Sequence, residues 1–304
     1  MADPGCAEQA NDMIVTKPQR RFVDSHVHLW DTLQNDWYRF PQPGDDSFGL
    51  GLKKPLPERF LWSDYLKSTT SVQLAKWVHV TAVAAPKDVT AESAWVASIA
   101  GEGGLPYALV GTLDATLPLS EIEATLDQQS ANPAYRGLRV LTGLDHESDA
   151  AQALLSMLSS RKLVYDTVAS PGSIRAAVRG LARHPDLTVV LEHTGWPRGT
   201  SSGHFAEWRA EIADLAALQN TFCKLSGLGM VAHRNDSRFF RRFFDECVHL
   251  FGAHRCMFGS NFPIDLCYGS GDELFAIFDE VASAYSEVDA ANLFARTAER
   301  AYRL

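Results

Sequence analysis

The sequence lacks the long apolar runs that mark membrane proteins and secretion signals. No segment reaches the roughly 18 consecutive apolar residues that a transmembrane helix needs. Residues 1–20 are polar and contain no hydrophobic core of the signal-peptide kind, so we expect them to form a short disordered leader. We therefore predict a soluble chain without a membrane partner.

Paired cysteines and an excess of positive charge are also absent. The five cysteines are widely spaced and form no C-x-x-C pair, which argues against a disulfide framework or a zinc knuckle and favours a cytoplasmic location. The 37 acidic residues outnumber the 28 lysines and arginines, which gives a net charge of −9. Because an acidic surface repels phosphate backbones, we expect no nucleic-acid partner.

Short apolar segments rich in β-branched residues alternate with segments of helical spacing. We predict eight strands, at residues 22–30, 76–83, 107–113, 137–141, 163–168, 188–193, 221–225 and 256–260. A final helical stretch is predicted at residues 274–304. The alternation indicates right-handed βαβ units, and no G-x-G-x-x-G follows the first strand. About eight such units favour an α/β fold, a single (β/α)8 TIM barrel over residues 21–304.

One connection breaks this rhythm. Residues 31–71 contain no clear long helix, but they are rich in aromatic side chains, at Trp37, Tyr38, Phe40, Phe48, Phe60, Trp62 and Tyr65. A long loop in a compact domain is usually functional or disordered, and this one is too aromatic to be disordered. A loop after the first strand lies on the catalytic face of a barrel. We predict a lid over the active site, with an aromatic plug that only covers the barrel mouth as the alternative.

A histidine pair ends the first predicted strand, in the sequence D-S-H-V-H-L-W from Asp24 to Trp30. Side chains two apart on a strand share one face, so His26 and His28 point the same way. Such a pair can chelate one cation or donate hydrogen bonds to a substrate oxyanion. The alternative is two polar residues at a strand end with no further role.

Two more strand ends carry reactive side chains. His193 ends the sixth strand, where it brings a third imidazole to the same mouth. The eighth strand runs through F-G-S-N-F-P-I-D, which places Asn261 at the strand end and Asp265 four residues on. A carboxylate at this place would act as general base on water.

These motifs together resemble the amidohydrolase superfamily. More narrowly, they are similar to the amidohydrolase 2 group, which includes sugar-lactone lactonases, 2-pyrone-4,6-dicarboxylate lactonase and muconolactone hydrolases. Further pieces agree with the resemblance, namely W-V-H-V at residues 77–80, Y-R-G-L-R at residues 135–139 and Y-D at residues 165–166. The resemblance extends over nearly the whole chain.

The resemblance implies roles for particular residues. His26, His28 and His193 would line the site, and Arg139 would bind a substrate carboxylate or polarise a carbonyl. The further substrate-binding candidates are Asp166, Trp30 and His79. For His79 the alternative is a core histidine, and for Arg139 it is an internal ion pair, for instance with Asp166.

Asn261 departs from the pattern of the group, because most of the superfamily has the water-activating aspartate there. Asn cannot take a proton from water. Either Asp265 has assumed the role, or Asn261 only orients the water, or activity is lost.

Two other departures bear on cofactors. Val80 and Thr81 stand where many members of the group have glutamate, and Asp166 stands where binuclear members have a bridging lysine or glutamate. A binuclear centre is therefore not expected. The resemblance leaves two alternatives, no cofactor or one divalent metal such as zinc, which His26, His28 and His193 would hold.

The expected function is hydrolysis of a lactone of a small carboxylate or sugar acid, with Asp265 and Asn261 activating water. The alternatives are a metal-dependent non-oxidative decarboxylase of an aromatic acid and a catalytically silent barrel that binds a small acid. The expected partner is a small-molecule substrate, and homo-oligomerisation is left open.

Overall fold

The structure is a computed structural model that describes residues 19–38, 40, 51–52, 55–82, 88–141, 144–199 and 201–304. The predicted leader therefore lies outside the described residues, except for its last two positions. Phe48 of the aromatic loop and the end of the second predicted strand at residue 83 lie outside them as well.

The described residues contain ten strands, and eight of these form one parallel sheet in which neighbours along the chain are also neighbours in space. In chain order the strands are β1 (Arg21–Val27), β2 (Trp30–Asp31), β3 (Arg59–Phe60), β4 (Gln73–Val80), β5 (Tyr107–Gly111), β6 (Tyr135–Arg139), β7 (Val164–Thr167), β8 (Val189–Leu191), β9 (Thr221–Leu225) and β10 (Cys256–Phe258). The sheet runs from β1 through β4 to β10, while β2 and β3 form a separate antiparallel ribbon. The predicted TIM barrel is confirmed.

Helices connect the barrel strands on the outside. They are α1 (Trp62–Ser68), α2 (Val89–Ala100), α3 (Leu119–Ser130), α4 (Asp149–Ser160), α5 (Ile174–Leu181), α6 (Ser202–Ala216), α7 (Leu228–Ala232), α8 (Ser237–Phe251), α9 (Gly271–Ala282), α10 (Glu287–Ala291) and α11 (Thr297–Tyr302). The helical stretch predicted at residues 274–304 is divided into three, because Ser286 caps a new helix and a π-helical segment, Asn292–Arg296, follows α10. Among the described residues, no helix is long and apolar enough to cross a membrane.

The barrel closes between its first and last strands at the histidine motif. The backbone N–H of Asn261 donates to the carbonyl of His26, and that of His28 donates to the carbonyl of Phe262, each at 2.8 Å. The first strand ends at Val27, three residues earlier than predicted. Its pairing with β4 shifts between Asp24 and Val27, where three steps along β1 match two along β4. This β-bulge reverses the side-chain alternation.

The barrel interior has an apolar lower layer. Its members are mainly valines that alternate along the strands, at Val23, Val78, Val80, Val110, Val164 and Val190. The C-terminal helical segments cover the bottom of this layer with Ala295, Ala298, Ala301 and Tyr302. Strand residues two apart share a face, so the next inward positions of β7 and β9 are Asp166 and Lys224, and that after β8 is Glu192. A charged layer therefore lies directly above the valines.

Candidate active site

The two histidines of the first strand meet inside the barrel. Val23 faces the interior, so strict alternation would turn His26 outward, but the bulge in β1 turns it inward. The Nε2 atoms of His26 and His28 are 3.1 Å apart. Nδ1 of His26 lies 3.2 Å from Nζ of Lys224, and Nδ1 of His28 lies 2.7 Å from the carbonyl oxygen of Val80.

These partners assign the ring protons of the pair. A lysine ammonium has only donors, so Nδ1 of His26 accepts from Lys224 and the proton of His26 is on Nε2. A carbonyl only accepts, so Nδ1 of His28 carries a proton and its Nε2 accepts from His26. Both rings are neutral, because burial holds their pKa well below the usual value. The charges of Lys224 beside His26 and of Arg139 near His28 lower the pKa further.

His193 joins the pair from the turn after β8. Its backbone is left-handed, with φ of 50°, and Nδ1 lies 2.9 Å from Oγ of Ser226. Its ring centroid is 4.5 Å from that of His26, and Trp196 packs edge-on against its other side at 4.8 Å. Burial, followed by the charge of Arg139, lowers the pKa of His193 well below its usual value. The three predicted histidines therefore form one buried cluster.

The charged layer below the histidines consists of two ion pairs. Lys224 donates to Asp166 at 2.5 Å, and the hydroxyl of Tyr302 donates to the same carboxylate. Arg139 donates to Glu192 at 3.1 Å. Two cations are thus matched by two carboxylates, so the layer is electrically balanced by its own side chains.

Two members of this layer were not expected from the sequence, and Asp166 has a different role from the one predicted. Lys224 and Glu192 were not among the site candidates, although a lysine within T-F-C-K-L and a glutamate after V-V-L both follow an inward apolar residue by two positions. Asp166 was predicted to bind substrate, but it is fully buried against Lys224 and Tyr302. The internal ion pair that was the alternative for Arg139 is present, with Glu192 as its partner in place of Asp166.

Asn261 and Asp265 follow β10 and contact each other. Asn261 has left-handed backbone, with φ of 55°, and its Nδ2 donates to Oδ1 of Asp265 at 3.3 Å. Burial raises the pKa of Asp265 to about 7, although this hydrogen bond and one from the backbone of Gly227 lower it. Within the described part of the chain, Oδ2 of Asp265 has no hydrogen-bond partner. The carboxyl group therefore has one oxygen held and one left for a ligand.

Two of the predicted substrate-binding residues lie outside the histidine cluster. Val78 and Val80 face the interior, so His79 between them faces outward, where its Nε2 lies 3.7 Å from Glu92 of α2. Its Nδ1 accepts from the backbone N–H of Leu29, which holds the segment after β1. Trp30 donates to the carbonyl of Pro57 at 2.8 Å and packs on Phe40, so it contacts two separate parts of the aromatic loop.

Part of the aromatic loop packs over the Asn261 side of the site. Leu52 is buried against Met230, whose sulfur lies 3.7 Å from Nδ2 of Asn261. Partly buried side chains complete this group, which we call the cover; they are Leu56, Trp196, Ile264, Cys267 and Tyr268. None of the candidate site residues is more than 6% exposed. A substrate must therefore displace part of the cover to reach them.

The hydrogen bonds of this cluster leave no set of free ligand atoms for a metal ion among the described residues. Among the described residues, the set of histidine, cysteine and acidic side chains whose ligand atoms lie within 4.8 Å of one another is His26, Glu192 and His193. The ammonium of Lys224 already lies 3.2 Å from Nδ1 of His26 and 3.8 Å from Oε1 of Glu192. Nε2 of His26 carries a proton and offers no lone pair. The predicted triple ligation by His26, His28 and His193 would require that proton to move.

Known proteins resemble the chain over almost its whole length. Residues 23–304 match the family model described as Amidohydrolase. The chain is 28% identical over 297 residues to the protein y4mH of Sinorhizobium fredii (strain NBRC 101917 / NGR234), which covers 93% of this chain and 98% of that protein. It is 28% identical over 311 residues to the L-fucono-1,5-lactonase of Burkholderia multivorans (strain ATCC 17616 / 249), which covers 93% and 96%.

The fold is also similar to a solved structure. A crystal structure of an amidohydrolase from Burkholderia multivorans with bound zinc superimposes with a TM-score of 0.77 at 25% identity. The match covers 93% of this chain and 99% of that chain.

Proposed function

The chain belongs to the amidohydrolase family and has the fold of its hydrolases, and we propose that it hydrolyses an uncharged, hydroxylated lactone by direct attack of water. Similarity to a protein named L-fucono-1,5-lactonase supports a sugar-lactone substrate. The observation that carries the proposal is Asp265, a buried carboxyl group with a pKa raised to about 7 and one unpartnered oxygen. A general base works best when its pKa lies near the working pH.

Asp265 acts on the attacking water. Asn261 holds Oδ1, so the free Oδ2 takes a proton while the water oxygen bonds to the lactone carbonyl carbon. The bond between that carbon and the ring oxygen then breaks. The proton on Asp265 passes to the departing ring oxygen, which becomes a hydroxyl group, and the carboxylate is regenerated. Asn261 thus orients the base and is not itself the base.

Donors from the histidines and from the charged layer stabilise the oxyanion of the tetrahedral intermediate. Nε2–H of His26 donates to the oxyanion in place of His28, and His193 contributes a second donor. Arg139 has a buried Nε–H with no hydrogen-bond partner among the described residues, and this group supplies a third. Nε2 of His28 is an acceptor and cannot donate to the oxyanion as expected from the sequence. We propose instead that His28 orients the ring of His26.

The charge balance of the site favours a neutral substrate. Arg139 uses one end of its guanidinium on Glu192 and the other on the carbonyl of Thr81, so a carboxylate cannot bind it through two parallel hydrogen bonds. A substrate carboxylate would also add a buried charge for which the described residues of the site offer no free cation, and this is costly. A sugar lactone avoids both costs, whereas a muconolactone-type substrate does not.

The test is proton release by chelator-treated protein on a panel of sugar lactones and carboxylated lactones. We expect turnover of at least one sugar lactone and little or none of the carboxylated set. Asp265→Asn should lower kcat by a factor of about 10² to 10⁴. Asp245→Asn is the matched control, since it removes an acidic side chain from the outer helix α8. Full activity in Asp265→Asn, or no lactone turnover with and without added zinc or manganese, would refute the proposal.

A further inference from the structure

Lys224 places its ammonium beside His26, Glu192 and His193, the three residues whose ligand atoms lie close enough together to hold a metal ion. Its Nζ is 3.2 Å from Nδ1 of His26 and 3.8 Å from Oε1 of Glu192, two members of that cluster. The lysine is fully buried and lies on β9, the neighbour of the strand β8 that Glu192 follows. An ammonium and a divalent ion cannot both occupy this position. Their positive charges repel, and both would need the same acceptor atoms.

The C-terminal helix α11 fixes the lysine there. Tyr302 extends up through the apolar layer, and its hydroxyl lies 2.9 Å and 2.8 Å from the two carboxylate oxygens of Asp166. Asp166 in turn accepts from Lys224 at 2.5 Å. All three side chains are buried, so the ammonium cannot turn away to solvent and remains below His26. A chain of hydrogen bonds thus leads from α11 to the histidine pair.

The position of the ammonium decides what His26 can do. Because Lys224 can only donate, Nδ1 of His26 must accept, and its one proton must be on Nε2. In this form Nε2–H of the ring is a hydrogen-bond donor on the side that faces Nε2 of His28. A metal ion bound through Nε2 would require the opposite form, with the proton on Nδ1 and the lone pair on Nε2, whereas a metal ion bound through Nδ1 would have to displace the ammonium of Lys224.

We propose that Lys224 is the resident cation of this site, a positioning residue that keeps His26 as an Nε2–H donor and excludes a divalent metal from the histidine cluster. Asp166 and Tyr302 hold it in place. The value of the donor for catalysis rests on the proposed lactone hydrolysis. The proton position and the metal exclusion do not, since both are measured without substrate.

The first measurement is the ring-proton position of His26 in chelator-treated native protein, from nitrogen NMR shifts of protein labelled at histidine. The signals of His26 are identified by their loss in His26→Gln. We expect a neutral ring with a protonated Nε2 and a hydrogen-bonded, unprotonated Nδ1. A ring with its proton on Nδ1 would overturn the proposal, whatever the variants do.

The second measurement removes the ammonium without leaving a buried charge. Lys224→Met combined with Asp166→Asn deletes the ion pair and keeps the net charge, and zinc binding is followed by calorimetry. We expect zinc to bind the double variant tighter than the native protein by about tenfold or more. The ring proton of His26 should also cease to be confined to Nε2. Zinc binding no tighter than in the native protein would contradict the proposal.

Two controls separate positioning from general disturbance of the fold. Lys67→Met combined with Asp64→Asn removes an exposed lysine–aspartate pair at 3.5 Å and should leave zinc binding unchanged. Tyr302→Phe should loosen the hold on Lys224, so that the ring proton of His26 is found partly on Nδ1 in the same NMR measurement. Tyr285→Phe, which removes a similar hydroxyl-to-aspartate hydrogen bond at 2.9 Å outside the barrel interior, should not. Equal effects of the two tyrosine variants would contradict the role of α11.

Discussion

Asp265 combines features that stability alone does not favour. A carboxyl group with one oxygen unpartnered inside a protein costs free energy, because ionisation without solvent or a counter-charge is unfavourable. Its Oδ1 accepts from Asn261, and Oδ2 has no partner among the described residues. Such a residue is expected where function requires it. The cost of its charge can be measured.

Asp265→Asn should stabilise the protein more at pH 8 than at pH 5. The pKa of Asp265 is about 7 in the folded chain and lower when unfolded. As pH rises between these values, the unfolded state loses a proton that the folded state keeps, so native stability falls. The variant lacks this penalty, and its advantage should grow by up to about 3 kcal/mol between pH 5 and pH 8. Denaturant unfolding at the two pH values measures the difference.

Asp245→Asn serves as the control for this experiment, since Asp245 is only partly buried and accepts a hydrogen bond from Tyr285 on the outside of the barrel. It should show no comparable gain at pH 8. If Asp265→Asn gains no more stability at pH 8 than at pH 5, the carboxyl group is not buried as described.

The location of a side chain in the site could be predicted where a motif identifies the residue. It could not be predicted where it depends on which way the side chain points from its strand. The histidines 26, 28 and 193 are recognisable from their motifs, and the structure brings them together. For His79 the sequence left substrate binding and a core position as alternatives, because its direction depends on the phase of β4. The flanking inward valines make it a buried histidine outside the barrel interior. Lys224 and Glu192 were missed because a charged residue in an apolar strand is visible only once the inward positions of all strands are known.

Among the elements, the turn between β9 and α7 contacts both His193, a proposed oxyanion donor, and Asp265, the proposed base. Gly227 has φ of 69°, and a Cβ placed on it would lie 2.4 Å from Nδ1 of His193. Its backbone N–H also donates to Asp265. The left-handed backbone and the close approach both favour glycine here.

Gly227→Ala should therefore impair activity beyond its effect on stability. The left-handed backbone costs an alanine about 1–2 kcal/mol, and displacement of His193 should lower kcat by up to about a hundredfold. Gly104→Ala is a matched control, because Gly104 has φ of 63° and no atom within 4 Å of an added Cβ. The control should lose similar stability and keep full kcat. Equal kcat in both variants would contradict the close packing of His193 on this turn.

The cover is the second element whose contribution can be isolated. Leu52→Ser removes a buried apolar contact with Met230, which should loosen the segment above Asn261. We expect faster hydrogen exchange in a peptide spanning residues 226–233. Leu33→Ser changes a leucine of the same loop that is 66% exposed and should have no such effect. Unchanged exchange in Leu52→Ser would show that the loop does not restrain this part of the site.

At the scale of the whole molecule, the barrel follows from the regular alternation of strands and helices. That pattern depends on local sequence, which is why all eight strands were predicted and the family resemblance was confirmed. The bulge in β1 and the plug formed by Tyr302 depend on contacts between distant parts of the chain. No local pattern encodes them, although together they turn His26 inward and hold the ammonium below it.

The central claim is that Asp265 is the general base of a hydrolase that needs no metal. The most direct test is kcat/KM of chelator-treated protein on its best sugar lactone between pH 5 and pH 8. Since the pKa of Asp265 is about 7 and only its ionised form accepts a proton, kcat/KM should rise with pH through an apparent pKa near 7. Asp265→Asn should remove both the activity and this dependence. A flat profile, or the same rise in Asp265→Asn, would contradict the account.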